Sequence, residues 1–248
     1  MSIARWLLLW GILPAILHAQ AHCSVSSGPV TPHLVELYTS EGCSSCPPAE
    51  QWLNGLADDA DVIPLEFHVD YWDDLGWRDR FSDHRFTVRQ QTLAAHARSS
   101  VVYTPEVLLD GREWRQWSHT PLPQAADARV ALRLDVVAGP QPQALLAVVA
   151  PPPDPPRLQG YYALVEGDLV SVVRSGENSG RTLRHAFVVR AFAGPLPLGE
   201  RAKLESPPDA DAANSSLVAF VVEADHGTVV GALRLPLKSC TSEPAKAP

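Results

Sequence analysis

Val35-Glu36-Leu37-Tyr38-Thr39-Ser40-Glu41-Gly42-Cys43-Ser44-Ser45-Cys46-Pro47-Pro48-Ala49-Glu50-Gln51-Trp52-Leu53 is the stretch on which the reading of this chain turns. Its first residues, Val35–Ser40, have the composition of a strand, and Ala49–Leu56 have that of a helix. Two cysteines separated by two residues close a small disulfide only where the chain turns, and a strand-to-helix junction supplies that turn. Backbone N–H groups left unpaired at a helix N-terminus favour a thiolate, so Cys43 is the expected nucleophile and Cys46 the resolving thiol. Pro47 and Pro48 fit a first helical turn but each removes a donor, leaving the N–H groups of Ser44, Ser45 and Cys46 for that role. On this reading Cys43 is the more exposed sulfur of the pair. The competing readings of the CxxC are a permanent structural disulfide and half of a metal site. A closed zinc site needs four ligands, and no second CxxC or HxxxH accompanies the pair.

Working outward, the segment from Leu34 to about Leu134 alternates between strand and helix patterns. After the first strand and helix come a second strand at Val62–Val69, a helix-like stretch from Ser82 to Ser99, and a third strand at Pro105–Leu109. Asp110-Gly111 then turns the chain into a short fourth strand at Glu113–Trp117, and a helix is expected over Leu122–Leu132. That order implies parallel pairing across helical crossovers, closed by a hairpin. Beyond Leu134 seven short strand-like runs follow, at Arg133–Val137, Ala144–Ala150, Gly160–Glu166, Leu169–Arg174, Arg184–Arg190, Ser216–Val222 and Thr228–Leu235. Without helical periodicity between them, they suggest a β-sandwich that contains the proline run Pro151–Pro156.

Residues 1–21 read as a cleaved signal: Arg5, an apolar run from Trp6 to Leu17, and Ala19-Gln20-Ala21 as a small-x-small cleavage pattern. The expected organisation is therefore a signal over 1–21, an α/β domain over 30–134, an all-β domain over 135–240 and a disordered tail over 241–248. Export from a bacterium, to the periplasm or the medium, makes disulfides permissible and leaves no membrane anchor after cleavage. The formal net charge is −8. An acidic exported protein without a basic cluster is a poor nucleic-acid binder. Cys23 and Cys240 lie near the two mature ends, and a structural disulfide between them is expected.

The strand–CxxC–helix arrangement, with a later strand opening on Thr104-Pro105, resembles the thioredoxin fold. More closely, Glu36–Glu50, His68-Val69-Asp70-Tyr71-Trp72-Asp73, Leu75-Gly76-Trp77, Tyr103-Thr104-Pro105, Arg181-Thr182-Leu183-Arg184-His185 and Val188-Val189-Arg190-Ala191-Phe192 resemble the exported bacterial family called domain of unknown function 1223. The resemblance implies an α/β thioredoxin-like domain, a mixed sheet with flanking helices, followed by an all-β, sandwich-like domain. It implies a cis peptide bond at Thr104–Pro105, facing the cysteines and holding a partner's backbone. Glu36 takes the strand position of the buried acid of thioredoxins, with one additional residue before the cysteine; an exposed edge glutamate is the alternative. Asp70, Tyr71 and Trp72, at the end of the second strand, together with Trp77 are candidate substrate contacts, or else a core aromatic cluster.

The leading functional expectation is an exported thiol–disulfide oxidoreductase or redox partner acting on protein thiols or disulfides through a mixed disulfide. Its alternatives are a non-catalytic binding module with a structural CxxC, and a copper-handling protein using His68 with Cys43 and Cys46. No cofactor is implied, and the leading reading assigns no metal ligand.

Overall fold

The structure is a computed structural model describing residues 21–150 and 156–240. The expected signal (apart from Ala21), most of the proline run and the expected tail lie outside the described residues. Short strands dominate: β1 (Ala21–Ser26), β2 (Val30–Thr31), β3 (His33–Thr39), β4 (Val62–His68), β5 (Glu106–Leu109), β6 (Arg112–Glu113), β7 (Ala126–Asp127), β8 (Ala131–Ala138), β9 (Gln143–Ala150), β10 (Leu158–Glu166), β11 (Leu169–Val172), β12 (Thr182–His185), β13 (Val188–Pro197), β14 (Arg201–Lys203), β15 (Ser215–Glu223) and β16 (Val229–Pro236). Among the described residues there are two α-helices, α1 (Pro47–Asn54) and α2 (His84–His96), and neither is long and apolar enough to cross a membrane.

This architecture corrects the expected one. Instead of a helix-flanked α/β thioredoxin-like domain followed by a separate sandwich, a single eight-stranded sheet runs in the order β16-β15-β10-β13-β4-β3-β5-β6. The join is a parallel pairing of β13 with β4, at Val188 and Glu66, and the Glu66 N–H also reaches the carbonyl of Phe187 at 2.8 Å. Strands from 30–134 and from 135–240 thus share one ladder. The helix expected over Leu122–Leu132 is absent. Pro123 interrupts it, Ala126-Asp127 pairs with Val30-Thr31, and from Val130 the apolar period is two, with Leu132, Leu134 and Val136 buried. Burial on alternate positions decides for strand against the helical propensity of the alanines.

A second sheet, β1-β8-β9-β14, packs on one face of the large one. Strand β15, next to the edge strand β16, shows why both faces are covered. Leu217, Ala219 and Val221 join the core beneath the second sheet, whereas Val218, Phe220 and Val222 join the other core. A strand buried on both sides reads as a continuous apolar run rather than an alternation. On that other face α2 lays Phe86 and Leu93 over Phe67, Phe192 and Phe220. Its first turn is capped by Asp83, whose carboxylate accepts the Arg85 N–H at 2.8 Å.

Cys23 and Cys240 are joined by a disulfide, so β1 is tied to the end of the last described segment. The sequence pattern marks no strand over residues 21–26, yet they form β1. There Cys23 and Val25 are the half-buried members of an alternating pattern and pair with β8.

Candidate functional site

β3 leads straight into the CxxC loop, and α1 leaves it. Ser40 accepts the Cys43 N–H at 3.1 Å and Cys43 accepts the Cys46 N–H at 3.2 Å, so two tight turns bring the cysteines together; they form a disulfide. Pro47 and Pro48 occupy the first helical turn. Ser44 and Ser45 are exposed, and the Cys43 Sγ lies 3.3 Å from the Ser45 hydroxyl.

Both sulfur-bearing residues are 0% exposed. The expectation that Cys43 is the more accessible is thereby corrected, and the reason is a segment far away in sequence. The loop between β11 and β12 folds over the pair as a clasp. Asn178, itself fully buried, donates from its side-chain amide to the carbonyls of Glu41 and Cys43, each at 2.9 Å. Glu177 accepts the Ser44 N–H at 3.1 Å, and the Ser44 hydroxyl and then this N–H hold its carboxyl below the usual range. Ser175 donates to the Gly76 carbonyl at 2.6 Å. Gly176, at φ +72°, sits so close to Trp77 that a Cβ there would lie 3.0 Å from that of the tryptophan. Of the three N–H groups expected to serve a Cys43 thiolate, Ser44 and Cys46 are therefore already engaged.

Thr104–Pro105 is cis. The pairing of Tyr38 with Glu106 sets this segment at the end of the sheet from which the CxxC loop emerges. Trp72 bridges the two, with its indole N–H donating to the Thr104 hydroxyl at 2.8 Å and its Cβ lying against Gly42. Trp77 donates to Glu41 at 2.7 Å. Tyr71 donates to Gln90 at 3.4 Å, and Asp70 accepts from Thr87 and His84. Trp72 and Trp77 are thus brought to the cysteine loop, while Asp70 and Tyr71 turn toward α2.

Glu36 is buried but is not brought to the cysteines. It faces α2, where it pairs with Arg89 at 2.5 Å and accepts from Tyr38 at 3.3 Å. Arg89 in turn lies between 5.1 and 5.8 Å from the ring centres of Phe192, Tyr161, Phe67 and Phe220. Glu36, Arg89, Tyr161, Phe192 and Phe220 line a cavity of about 360 Å³ on that face, away from the disulfide.

The face that Thr39 shares with α1 carries what sequence reasoning missed. Thr39 donates to Glu50 at 2.6 Å. Around Glu50 stand Glu41, Glu66, His68, Asp79 and His185, all buried. His68 reaches Asp79 through Nδ1 at 2.6 Å and Glu66 through Nε2 at 3.0 Å, and His185 Nδ1 reaches the same Glu66 oxygen at 2.9 Å. Burial would raise Glu66, yet the two imidazoles facing it hold it down to about 2. Burial would lower His185, but Glu66 and Glu41 bring it up to about 10; Asp79 acts likewise on His68 and raises it well above the ordinary value. Asp79, opposed by burial, is lowered by His68. Burial and then the Glu66 charge push Glu50 up to about 7. Glu66-Phe67-His68 held the available signal, because two polar residues at strand positions i and i+2 share a face. Nothing local linked them to His185.

His68 is accordingly committed to Asp79 and Glu66, and the expected copper set of His68 with Cys43 and Cys46 is not assembled.

The family model described as "Protein of unknown function (DUF1223)" matches residues 34–222. No curated protein matches. Among solved structures, protein AGR_C_4864 from Agrobacterium tumefaciens is 20% identical, with a TM-score of 0.55, covering 88% of this chain and all of the other. HBP35 of Porphyromonas gingivalis is 14% identical, with a TM-score of 0.58, covering 89% of this chain and 79% of that one. At these identities the likeness is one of fold.

Proposed function

This chain belongs to the DUF1223 family, to which no function is assigned, and from its own chemistry we propose that it is an exported protein exchanging thiols and disulfides with other proteins through Cys43 and Cys46. The observation that carries the reading is the disulfide itself. It closes over two residues at the start of α1, directly beneath the exposed Ser44-Ser45 and beside the Thr104–Pro105 segment. In the exchange, a partner thiolate attacks the Cys43 sulfur, the Cys43–Cys46 bond breaks, and Cys46 leaves as a thiolate that takes a proton from solvent. Attack of Cys46 on the mixed disulfide reverses the step. Trp72 and the Thr104–Pro105 segment flank the place where the partner chain would lie. The leader-like residues 1–21 support export, and so does a second disulfide between Cys23 and Cys240. Partners are protein thiols or disulfides, not nucleic acid.

Burial of both sulfurs favours a second reading, a binding module whose CxxC disulfide is permanent. One experiment separates the two. The mature protein is treated with a mild dithiol, alkylated and mapped, and assayed for exchange with a model disulfide substrate. Under the exchange reading Cys43 and Cys46 are alkylated while Cys23–Cys240 stays closed and the circular dichroism is unchanged. Cys43→Ser abolishes turnover and Cys46→Ser accumulates mixed disulfides. Unalkylated Cys43 with no turnover establishes the permanent disulfide instead.

A further inference from the structure

The buried cluster beneath α1 has the donor set of a metal centre. We propose that Glu66, His68 and His185 bind one divalent transition-metal ion, with the neighbouring Glu50 moving in as fourth ligand and Zn(II) best suited to the resulting two nitrogens and two oxygens. The ligand atoms come from three elements, α1, β4 and β12, packed against one another, so the packing of the fold sets their spacing.

The distances fit. Four donors about 2.05 Å from a tetrahedral ion stand about 3.3 Å apart. Here Glu66 Oε1 is 3.0 Å from His68 Nε2 and 2.9 Å from His185 Nδ1, and Glu50 Oε2 is 3.7 Å from His185 Nδ1. Glu66, His68 and His185 offer donor atoms that all lie within 4.8 Å of one another, so small shifts would centre an ion among these three, and a larger movement of the Glu50 carboxylate would complete the set.

Surrounding groups are placed as a metal centre requires. A ligating imidazole is oriented by a carboxylate on its other nitrogen, and His68 Nδ1 has Asp79 at 2.6 Å. Thr39 holds the second oxygen of Glu50 at 2.6 Å. The independent sign is a set of unsatisfied atoms. His185 Nε2, Glu41 Oε1 and Glu66 Oε2 are buried without a hydrogen-bond partner, a costly state in a protein interior. A metal on His185 Nδ1 places the ring proton on Nε2, which stands 3.5 Å from Glu41 Oε1. A small closure would then satisfy both atoms, and Glu66 Oε2 would gain the ion as a neighbour. All-oxygen preferences make Ca(II) and Mg(II) poor fits to two imidazoles. The enclosed site takes its ion as the chain folds.

This proposal is independent of the exchange reading, and its test uses oxidised protein so that cysteine thiolates take no part. Full-length mature protein is refolded with ZnCl2, desalted and analysed for metal by mass spectrometry. About one Zn(II) per chain is expected, retained in the Cys43→Ser, Cys46→Ser double variant and lost to below about a tenth in His185→Gln and His68→Gln. Should those variants fail to fold, Co(II) loading of the natural sequence decides: tetrahedral d–d bands without thiolate charge transfer support the site. Less than about a tenth of an ion in the natural sequence, an ion kept by folded His185→Gln, or thiolate-to-cobalt bands each overturn it.

Discussion

Removing the Asn178 side chain should expose the Cys43–Cys46 disulfide to reductant without unfolding the protein. In Asn178→Ala the carbonyls of Glu41 and Cys43 each lose a donor at 2.9 Å, in a place where the asparagine itself is fully buried. Each lost hydrogen bond is worth about 1 kcal/mol net, so the clasp should open about 2 kcal/mol more easily. If a reductant reaches the sulfurs through that local opening, reduction should accelerate roughly 30-fold. Two ties of the clasp remain, Ser175 to Gly76 and Glu177 to Ser44, and keep it attached on the side preceding Asn178. The assay is stopped-flow or quenched reduction by excess dithiothreitol, with Cys43 and Cys46 quantified by mass mapping at each time. Urea unfolding of the same variant supplies the control. A reduction rate within twofold of the natural protein, in a folded variant, would refute the clasp as the barrier.

Three further outcomes are expected. Cys240→Ser should lower the stability of the oxidised protein by up to about 5 kcal/mol in the chain-entropy account, given the 217-residue separation, while leaving exchange at Cys43–Cys46 intact; thermal unfolding with and without reductant checks it. Arg89→Met should cost about 3–5 kcal/mol in urea unfolding because it strands the buried Glu36 carboxylate, and Glu36→Leu combined with Arg89→Met should recover most of the loss. Asp83→Ala should cost about 1 kcal/mol at neutral pH through the lost cap of α2. Hydrogen bonds from Arg85 outweigh burial and hold the folded-state pKa of Asp83 below its usual 3.8, so its contribution is present above that value and disappears as pH falls through the lowered one; the two unfolding curves should converge in acid.

Local patterns were legible wherever one neighbouring element decided the outcome. Strand β3, the turn at Cys43–Cys46, helix α1 and the apolar run of β15 all stand close to where periodicity and turn residues place them. What failed depended on partners distant in sequence. The parallel pairing of Val188 with Glu66 merges two segments into one sheet, and no residue near either position announces it. Alanine-rich Leu122–Leu132 favours helix in isolation, but pairing of β7 with β2 and of β8 with β1 prevails. The buried carboxylates and imidazoles escaped notice for the same reason, since Glu41, Glu66, Asp79 and His185 reach the centre from separate segments. Clasp residue Asn178 looks like an ordinary turn asparagine until its two acceptors are known.

The Cys23–Cys240 bond also has a mechanical meaning. It turns the chain from Cys23 to Cys240 into a closed ring. Tension applied from outside that ring passes along the covalent bridge and loads, within the sheets, only the pairing of Ala21 and His22 with β8. An oxidised molecule held in an optical trap should therefore show no unfolding rip, whereas the reduced one should lengthen. A translocase pulling from one end would have to draw two strands through its pore at once. For a protein exposed to shear or to processive proteases, the ring resists by geometry, whatever the depth of its free-energy well.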